Sequence, residues 1–120
     1  MTNILSLRVS AALGRAVRGH AGDWNMTVAN LVGQIMESAL VGKFNFSALP
    51  DIPQALDDKL DVRLPAELVT RIRVESERLK TSISVYSRII LFGYYTARLI
   101  EVEIGGRYTL AENHEQEKSA

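Results

Sequence analysis

Arg8 and Arg63 are the residues of this chain best placed for recognition chemistry. They stand at the same point of two similar stretches, Leu5-Ser6-Leu7-Arg8-Val9-Ser10 and Leu60-Asp61-Val62-Arg63-Leu64-Pro65. An arginine in such a place can bond bidentately to the O6 and N7 of a guanine. Other chemistries find less support. Cysteine is absent, which excludes disulfides, thiolate metal sites and cysteine nucleophiles. The two histidines, His20 and His114, are far apart and have no ligand-like spacing around them, so neither zinc nor any other metal is expected. Asp51, Asp57, Asp58 and Asp61 resemble paired carboxylates, yet they fall in or beside a linker with no nucleophile or base to match. Neither an enzyme nor a cofactor is expected.

The elements that position these arginines come from comparing the chain with itself. A shift of 55 residues aligns residues 5–10 with 60–65 and continues without a gap: Leu13 meets Leu68, Val17 meets Ile72 and Arg18 meets Arg73. Further on, Trp24 meets Leu79, Thr27 meets Ser82 and Ile35 meets Ile90. Leu5, Leu7 and Val9, like Leu60, Val62 and Leu64, alternate with polar residues, the period of a half-buried strand. Helical periods follow. Leu13, Val17, Ala21 and Trp24 form one stripe, and Leu68, Ile72, Ser76 and Leu79 its counterpart. Ser10 suits a helix N-cap and Pro65 a helix start. After breaks at 22–26 and near 80–81, Thr27 and Ser82 stand as N-caps of second helices. Those helices are expected to bury Val28, Leu31, Ile35 and Ala39, and Ile83, Tyr86, Ile90 and Ala97.

One such unit cannot stand alone. A lone strand has no partner for its backbone, and two short helices bury too little apolar surface to offset chain entropy. Two units, 1–41 and 59–101, are therefore expected to pair their strands antiparallel and close one mainly helical core as an intramolecular pseudo-dimer. A linker, 42–58, joins them; Pro50 and Pro53 favour an extended crossing, with Phe44, Phe46 and Leu49 pinning it to the body. Val102-Glu103-Ile104 and Tyr108-Thr109-Leu110 flank Gly105-Gly106, as in a C-terminal hairpin over 102–110, and the polar residues 111–120 read as a disordered tail. Trp24, Tyr86, Tyr94 and Tyr95 are expected in the core and His20 on a helix surface. Arg15, Arg18, Arg71, Arg73 and Arg78 read as solvated, or as ion-paired with Glu67, Glu75 and Glu77.

Net charge is zero, but it is unevenly spread. Residues 60–100 hold seven basic against four acidic side chains, whereas 101–120 hold two against five. A locally basic surface is felt over about 8–10 Å, so this distribution matters more than the total. The longest apolar run, Ile89 to Tyr95, is interrupted by Gly93 and is far too short to span a bilayer. With no signal-peptide pattern at the N-terminus, a cytoplasmic protein is expected.

The run Leu60-Asp61-Val62-Arg63-Leu64-Pro65, followed by Ala66-Glu67-Leu68 and by Ser82-Ile83-Ser84 opening a second helix, resembles the ribbon-helix-helix superfamily of bacterial and plasmid DNA-binding proteins. A tandem arrangement in one chain is similar to TraY-type relaxosome accessory proteins and to the Ti-plasmid protein that binds the T-DNA transfer enhancer. The resemblance implies a ribbon lying in the major groove of double-stranded DNA, its outward residues reading bases. A two-stranded ribbon fits that groove on physical grounds as well. The outward set is Ser6, Arg8, Lys59, Asp61 and Arg63, with Ile4 either touching a thymine methyl or lying beyond the ribbon. Asp61 is a departure, explained by a cytosine amino group or by an orienting contact to Arg63. The resemblance further implies phosphate binding where the second helices start, at Met26, Thr27, Lys80, Thr81 and Ser82. Many relatives carry a glycine there, whereas this chain has Asn25 and Lys80.

The function expected is sequence-specific duplex binding in plasmid or T-DNA transfer. A transcriptional regulator of the same fold, or a scaffold recruiting a relaxase or partition protein, is the alternative. The chain is expected to be a monomer in solution, with self-association on DNA left open. Because Ser6 and Asp61 differ at equivalent places, an asymmetric site is expected.

Overall fold

The computed structural model describes residues 2–41, 55–95, 102–104 and 107–109. The element order is β1 (Thr2–Val9), α1 (Ala11–Asp23), α2 (Val28–Val41), β2 (Asp58–Pro65), α3 (Ala66–Arg78), α4 (Ile83–Tyr95), β3 (Val102–Ile104) and β4 (Arg107–Thr109). Over the described residues the protein is mainly helical, with four helices, a two-stranded antiparallel sheet of β1 and β2, and a second small sheet of β3 and β4. Asp58, read from the sequence as the end of the linker, is the first residue of β2. The expected linker contacts of Phe44, Phe46 and Leu49, the prolines 50 and 53, Ala97, the turn Gly105-Gly106 and the tail lie outside the described residues.

Alternation along both strands puts Leu5, Leu7, Val9, Leu60, Val62 and Leu64 in the core and every intervening residue of the pairing region outside. The register pairs Leu7 with Leu60 and Leu5 with Val62, so apolar side chains lie side by side on one face. Ser6 sits opposite Asp61, its own counterpart under the 55-residue shift.

The helix boundaries recur at the same offset. Ser10 Oγ accepts from the Leu13 amide at 3.2 Å to open α1, whereas Pro65 occupies the N-cap of α3 with no side-chain bond. Both helices end alike. Met26 N–H reaches back to Ala21 O at 2.8 Å and Thr81 N–H to Ser76 O at 2.9 Å, with inner bonds from Asn25 to Gly22 and from Lys80 to Glu77. Such an ending requires a left-handed residue, and Asn25 (φ 55°) and Lys80 (φ 58°) supply it without glycine. Thr27 Oγ1 then accepts from the Asn30 amide at 3.0 Å, and Ser82 Oγ from the Val85 amide at 3.1 Å, capping α2 and α4.

The second helices form the centre of the core. Leu31, Val32, Ile35, Met36 and Ala39 of α2 pack with Tyr86, Ile89, Ile90, Leu91 and Tyr94 of α4 in one continuous cluster. Val28 and Ile83, expected to be buried, are only half-buried at the helix starts. Packing crosses between the halves: α2 lies against β2, and α4 against β1. Neither strand-helix-helix segment has a closed core of its own. β3 runs beside α2.

His20 departs from the sequence expectation. It is buried rather than on the surface, at 2% exposure, with Nδ1 2.7 Å from the Tyr95 hydroxyl. Trp24 and Tyr95 meet its ring edge-on, and Tyr94 stacks on it at 6.0 Å. The stripe Leu13, Val17, Ala21 and Trp24 takes the i+4 step from Val17 and so passes His20 by; the i+3 neighbour of Val17 also faces inward once α4 packs there.

Candidate nucleic-acid interface

The outer face of β1 and β2 presents three cross-strand pairs in a row: Ile4 with Arg63, Ser6 with Asp61, and Arg8 with Lys59. All six are exposed. Alternation fixes the direction of each side chain, since the intervening leucines and valines are held in the core. Arg8 and Arg63 are thus at opposite ends of the ribbon. Arg63 stands opposite Ile4, four residues from Arg8, so the two arginines are about 13 Å apart along the strands at roughly 3.3 Å per residue. Among the described residues neither guanidinium makes a hydrogen bond or ion pair. Ile4 is 58% exposed and belongs to the ribbon rather than lying beyond it.

The central pair is internally bonded. Ser6 Oγ donates to Asp61 Oδ1 at 2.6 Å, and Lys59 Nζ lies 3.6 Å from Asp61 Oδ2. Asp61 therefore engages Ser6 and Lys59, not Arg63 as one sequence expectation had it. Arg63 is two residues farther along the same face, and the serine directly across the ladder is nearer.

The helix starts expected to hold phosphate come near the strands, Thr27 lining a cleft with Arg63 and Ser84 bonding the Ser6 carbonyl, but their donors differ from the expectation in detail. Thr27, Lys80 and Ser82 are exposed, Thr81 is half-buried, and Met26 packs against the core. The amides of Met26 and Thr81 are committed to the ends of α1 and α3, and the cap bonds occupy those of Asn30 and Val85. First-turn amides at Val28 and Ala29, and at Ile83 and Ser84, are the ones a helix leaves without an intrahelical acceptor.

Several anchors of the ribbon were not legible beforehand. Arg18, expected to be solvated or paired with a helical glutamate, instead forks onto Asp58, with Nη1 2.7 Å from Oδ2 and Nη2 3.2 Å from Oδ1. Nη2 also lies 3.1 Å from Lys59 O. That hydrogen bond holds the Asp58 carboxyl below the usual carboxylate range, with the Lys59 amide adding to it, and raises Arg18. Asp57 accepts from the Ala11 amide at the start of α1, 3.1 Å away. Asp57 and Asp58 are therefore anchors of the fold. Arg78 pairs with Glu75, as expected for neighbours one helical turn apart.

The two ends of the ribbon are supported unequally. At the Arg8 end, Ser84 Oγ and Arg88 Nη1 of α4 reach the carbonyls of Ser6 and Arg8, each at 3.4 Å. At the Arg63 end the equivalent places hold Ala29 and Gly33, which cannot donate from a side chain, and a cleft of about 340 Å³ opens there. Thr27, Asn30, Gln34, Glu37 and Arg63 line it. No local pattern announces Ser84 or Arg88, whose contacts join residues 78 and 80 apart in sequence.

Among the described residues no three His, Asp or Glu side chains are grouped to hold a metal ion, and no helix is long and apolar enough to cross a membrane. No protein-family model matches the chain, and neither a curated protein nor a solved structure matches it.

Proposed function

We propose that this chain is a tandem ribbon-helix-helix protein that binds double-stranded DNA sequence-specifically, laying the outer face of β1 and β2 in the major groove. The carrying observation is the row of exposed Arg8, Lys59 and Arg63 side chains on a two-stranded ribbon, in a fold whose second helices both open on capped starts. A ribbon of this width fits the groove, and the helix starts suit phosphates on either side. The pseudo-dimer is supported by the register, which sets Ser6 against its own shifted counterpart, and by helix ends that repeat at the same offset. The process proposed is plasmid or T-DNA transfer, as a non-catalytic cytoplasmic accessory factor to a relaxase.

Fluorescence anisotropy on duplexes from a plasmid transfer region, with nonspecific competitor, tests this reading. Binding should weaken steeply with salt, and Arg8→Ala and Arg63→Ala should each cost about 1–3 kcal/mol. Variants that bind as tightly as the parent would sink ribbon readout.

The exposed Asp61 favours a second reading, in which the ribbon meets a protein such as a relaxase or partition protein, since a carboxylate beside phosphates is unfavourable. Capture of such a partner, lost on Asp61→Lys and with no duplex binding in low salt, is the outcome that selects it.

A further inference from the structure

Hydrogen-bonding capacity is distributed unequally along the outer face of the ribbon. Resting on the duplex-binding reading, we infer that the chain reads an asymmetric element: guanines at the Arg8–Lys59 end, a cytosine at the centre, and a guanine beside a thymine at the Arg63–Ile4 end.

The centre of the ribbon offers acceptors only. Ser6 has a single hydroxyl proton, and it is donated to Asp61 Oδ1 at 2.6 Å. What the pair can still offer outward is the lone pairs of two carboxylate oxygens and of Oγ. Lys59 Nζ, 3.6 Å from Oδ2, offsets the carboxylate charge without a close hydrogen bond. In the major groove the only donors are the amino groups of cytosine and adenine. Guanine O6 and N7 and thymine O4 would face the carboxylate oxygen to oxygen, or nitrogen to oxygen. Adenine carries its acceptor N7 next to its amino group, whereas cytosine has only a C–H beside its own. The centre therefore selects cytosine.

The ends offer the opposite. Arg8 and Lys59 face each other across the ladder, so that end presents donors alone and suits guanine O6 and N7. At the other end Arg63 faces Ile4, a guanidinium beside an apolar side chain that is 58% exposed. A guanine for the fork and a thymine methyl for Ile4 satisfy both. The arginines are about 13 Å apart along the strands, close to four base-pair steps at roughly 3.4 Å each. Turning the ribbon by half a revolution exchanges Arg8 with Arg63, Ser6 with Asp61 and Ile4 with Lys59. The two arginines match under that turn, but an apolar side chain and a cation change places beside them, so no palindrome satisfies both ends.

The test is selection from a random duplex library with the native chain, followed by anisotropy titration of the winning duplex and its base replacements. Replacing the central cytosine should weaken binding about 5- to 10-fold, the lower range for one good base contact. Asp61→Asn should move the central preference to adenine, whose N6 and N7 an amide can bond together. Uracil in place of thymine at the Ile4 end should weaken binding by up to about fourfold, the effect of one buried methyl, and Ile4→Ser should remove that difference. Ile4 and Asp61 are exposed, and a thermal melt checks that both variants fold. Selected duplexes that are palindromic, or indifferent to the central base and to the thymine methyl, overturn the assigned pattern and leave duplex binding standing. No selection of any duplex overturns duplex binding itself, and the pattern with it.

Discussion

Two glycines of α1 offer the same substitution and opposite outcomes. Gly19 lies on an exposed stretch of the helix with nothing within 4 Å of where a Cβ would stand. Replacing it with alanine should stabilise the fold by about 0.8–1 kcal/mol, the difference in helix propensity. That raises the midpoint of thermal unfolding by roughly 3–6 °C for a chain of this size. Gly14 faces the start of β2. A Cβ there would meet Asp58 Oδ2 at 2.0 Å, and Asp58 Cγ and Arg18 Nη1 at 3.0 Å. The carboxylate has to swing away, and the fork from Arg18 goes with it. Overpacking of this kind costs about 1–3 kcal/mol, so the propensity gain is cancelled or reversed. Urea denaturation of the native chain, Gly14→Ala and Gly19→Ala measures both effects under one set of conditions. A third comparison isolates the cause: in an Asp58→Ser background, where the obstructing oxygen is gone, Gly14→Ala should recover the benefit seen at Gly19. If Gly14→Ala stabilises the native chain as much as Gly19→Ala does, the close approach of α1 to β2 is refuted.

Asp58 also makes stability pH-dependent in a definite direction. Its carboxyl is held low in the folded chain by Arg18, so its contribution is present above the ordinary carboxylate pKa of about 4 and is lost as pH falls through the lower folded value. Asp58→Asn should flatten urea midpoints measured below about pH 4 relative to the native chain; an unchanged acid limb counts against the pair. Lys80→Gly should stabilise by about 0.5–1 kcal/mol, because a lysine at φ 58° bears the left-handed cost that glycine escapes. A chemical melt reads this, and destabilisation would be inconsistent with the described end of α3. Tyr95→Phe removes the hydroxyl 2.7 Å from the buried His20 Nδ1 and should cost about 1–3 kcal/mol by thermal or urea melting. Tyr86 is buried and its phenol is pushed up to about 12, so its neutral form stabilises the fold fully below pH 10. That contribution is lost as pH rises from 10 toward 12. Tyr86→Phe should therefore unfold less steeply with alkali when followed by circular dichroism.

Much of this protein was legible without coordinates, because its decisive signals are local. Alternation of Leu5, Leu7 and Val9, and of Leu60, Val62 and Leu64, is a consequence of strand geometry and assigns inside and outside one residue at a time. The caps Ser10, Thr27 and Ser82 act on amides three residues away, so residue type and place suffice to name them. The same reasoning set Ser6, Arg8, Lys59, Asp61 and Arg63 on one outward face. Partners across the fold were not available to it. Asp61 engages Ser6 and Lys59 instead of Arg63, Arg18 leaves its own helix for Asp58, and His20 is enclosed by aromatic residues from a helix some 75 positions later. Each depends on which surfaces meet when α2 packs on β2 and α4 on β1, a choice made by the whole core at once. A local pattern is repeated with every turn or pleat of the backbone and so is written in the residues themselves. A contact between distant segments is settled only when apolar faces close on each other, and in this chain that closure decided which charged groups are anchors and which are left exposed on the ribbon.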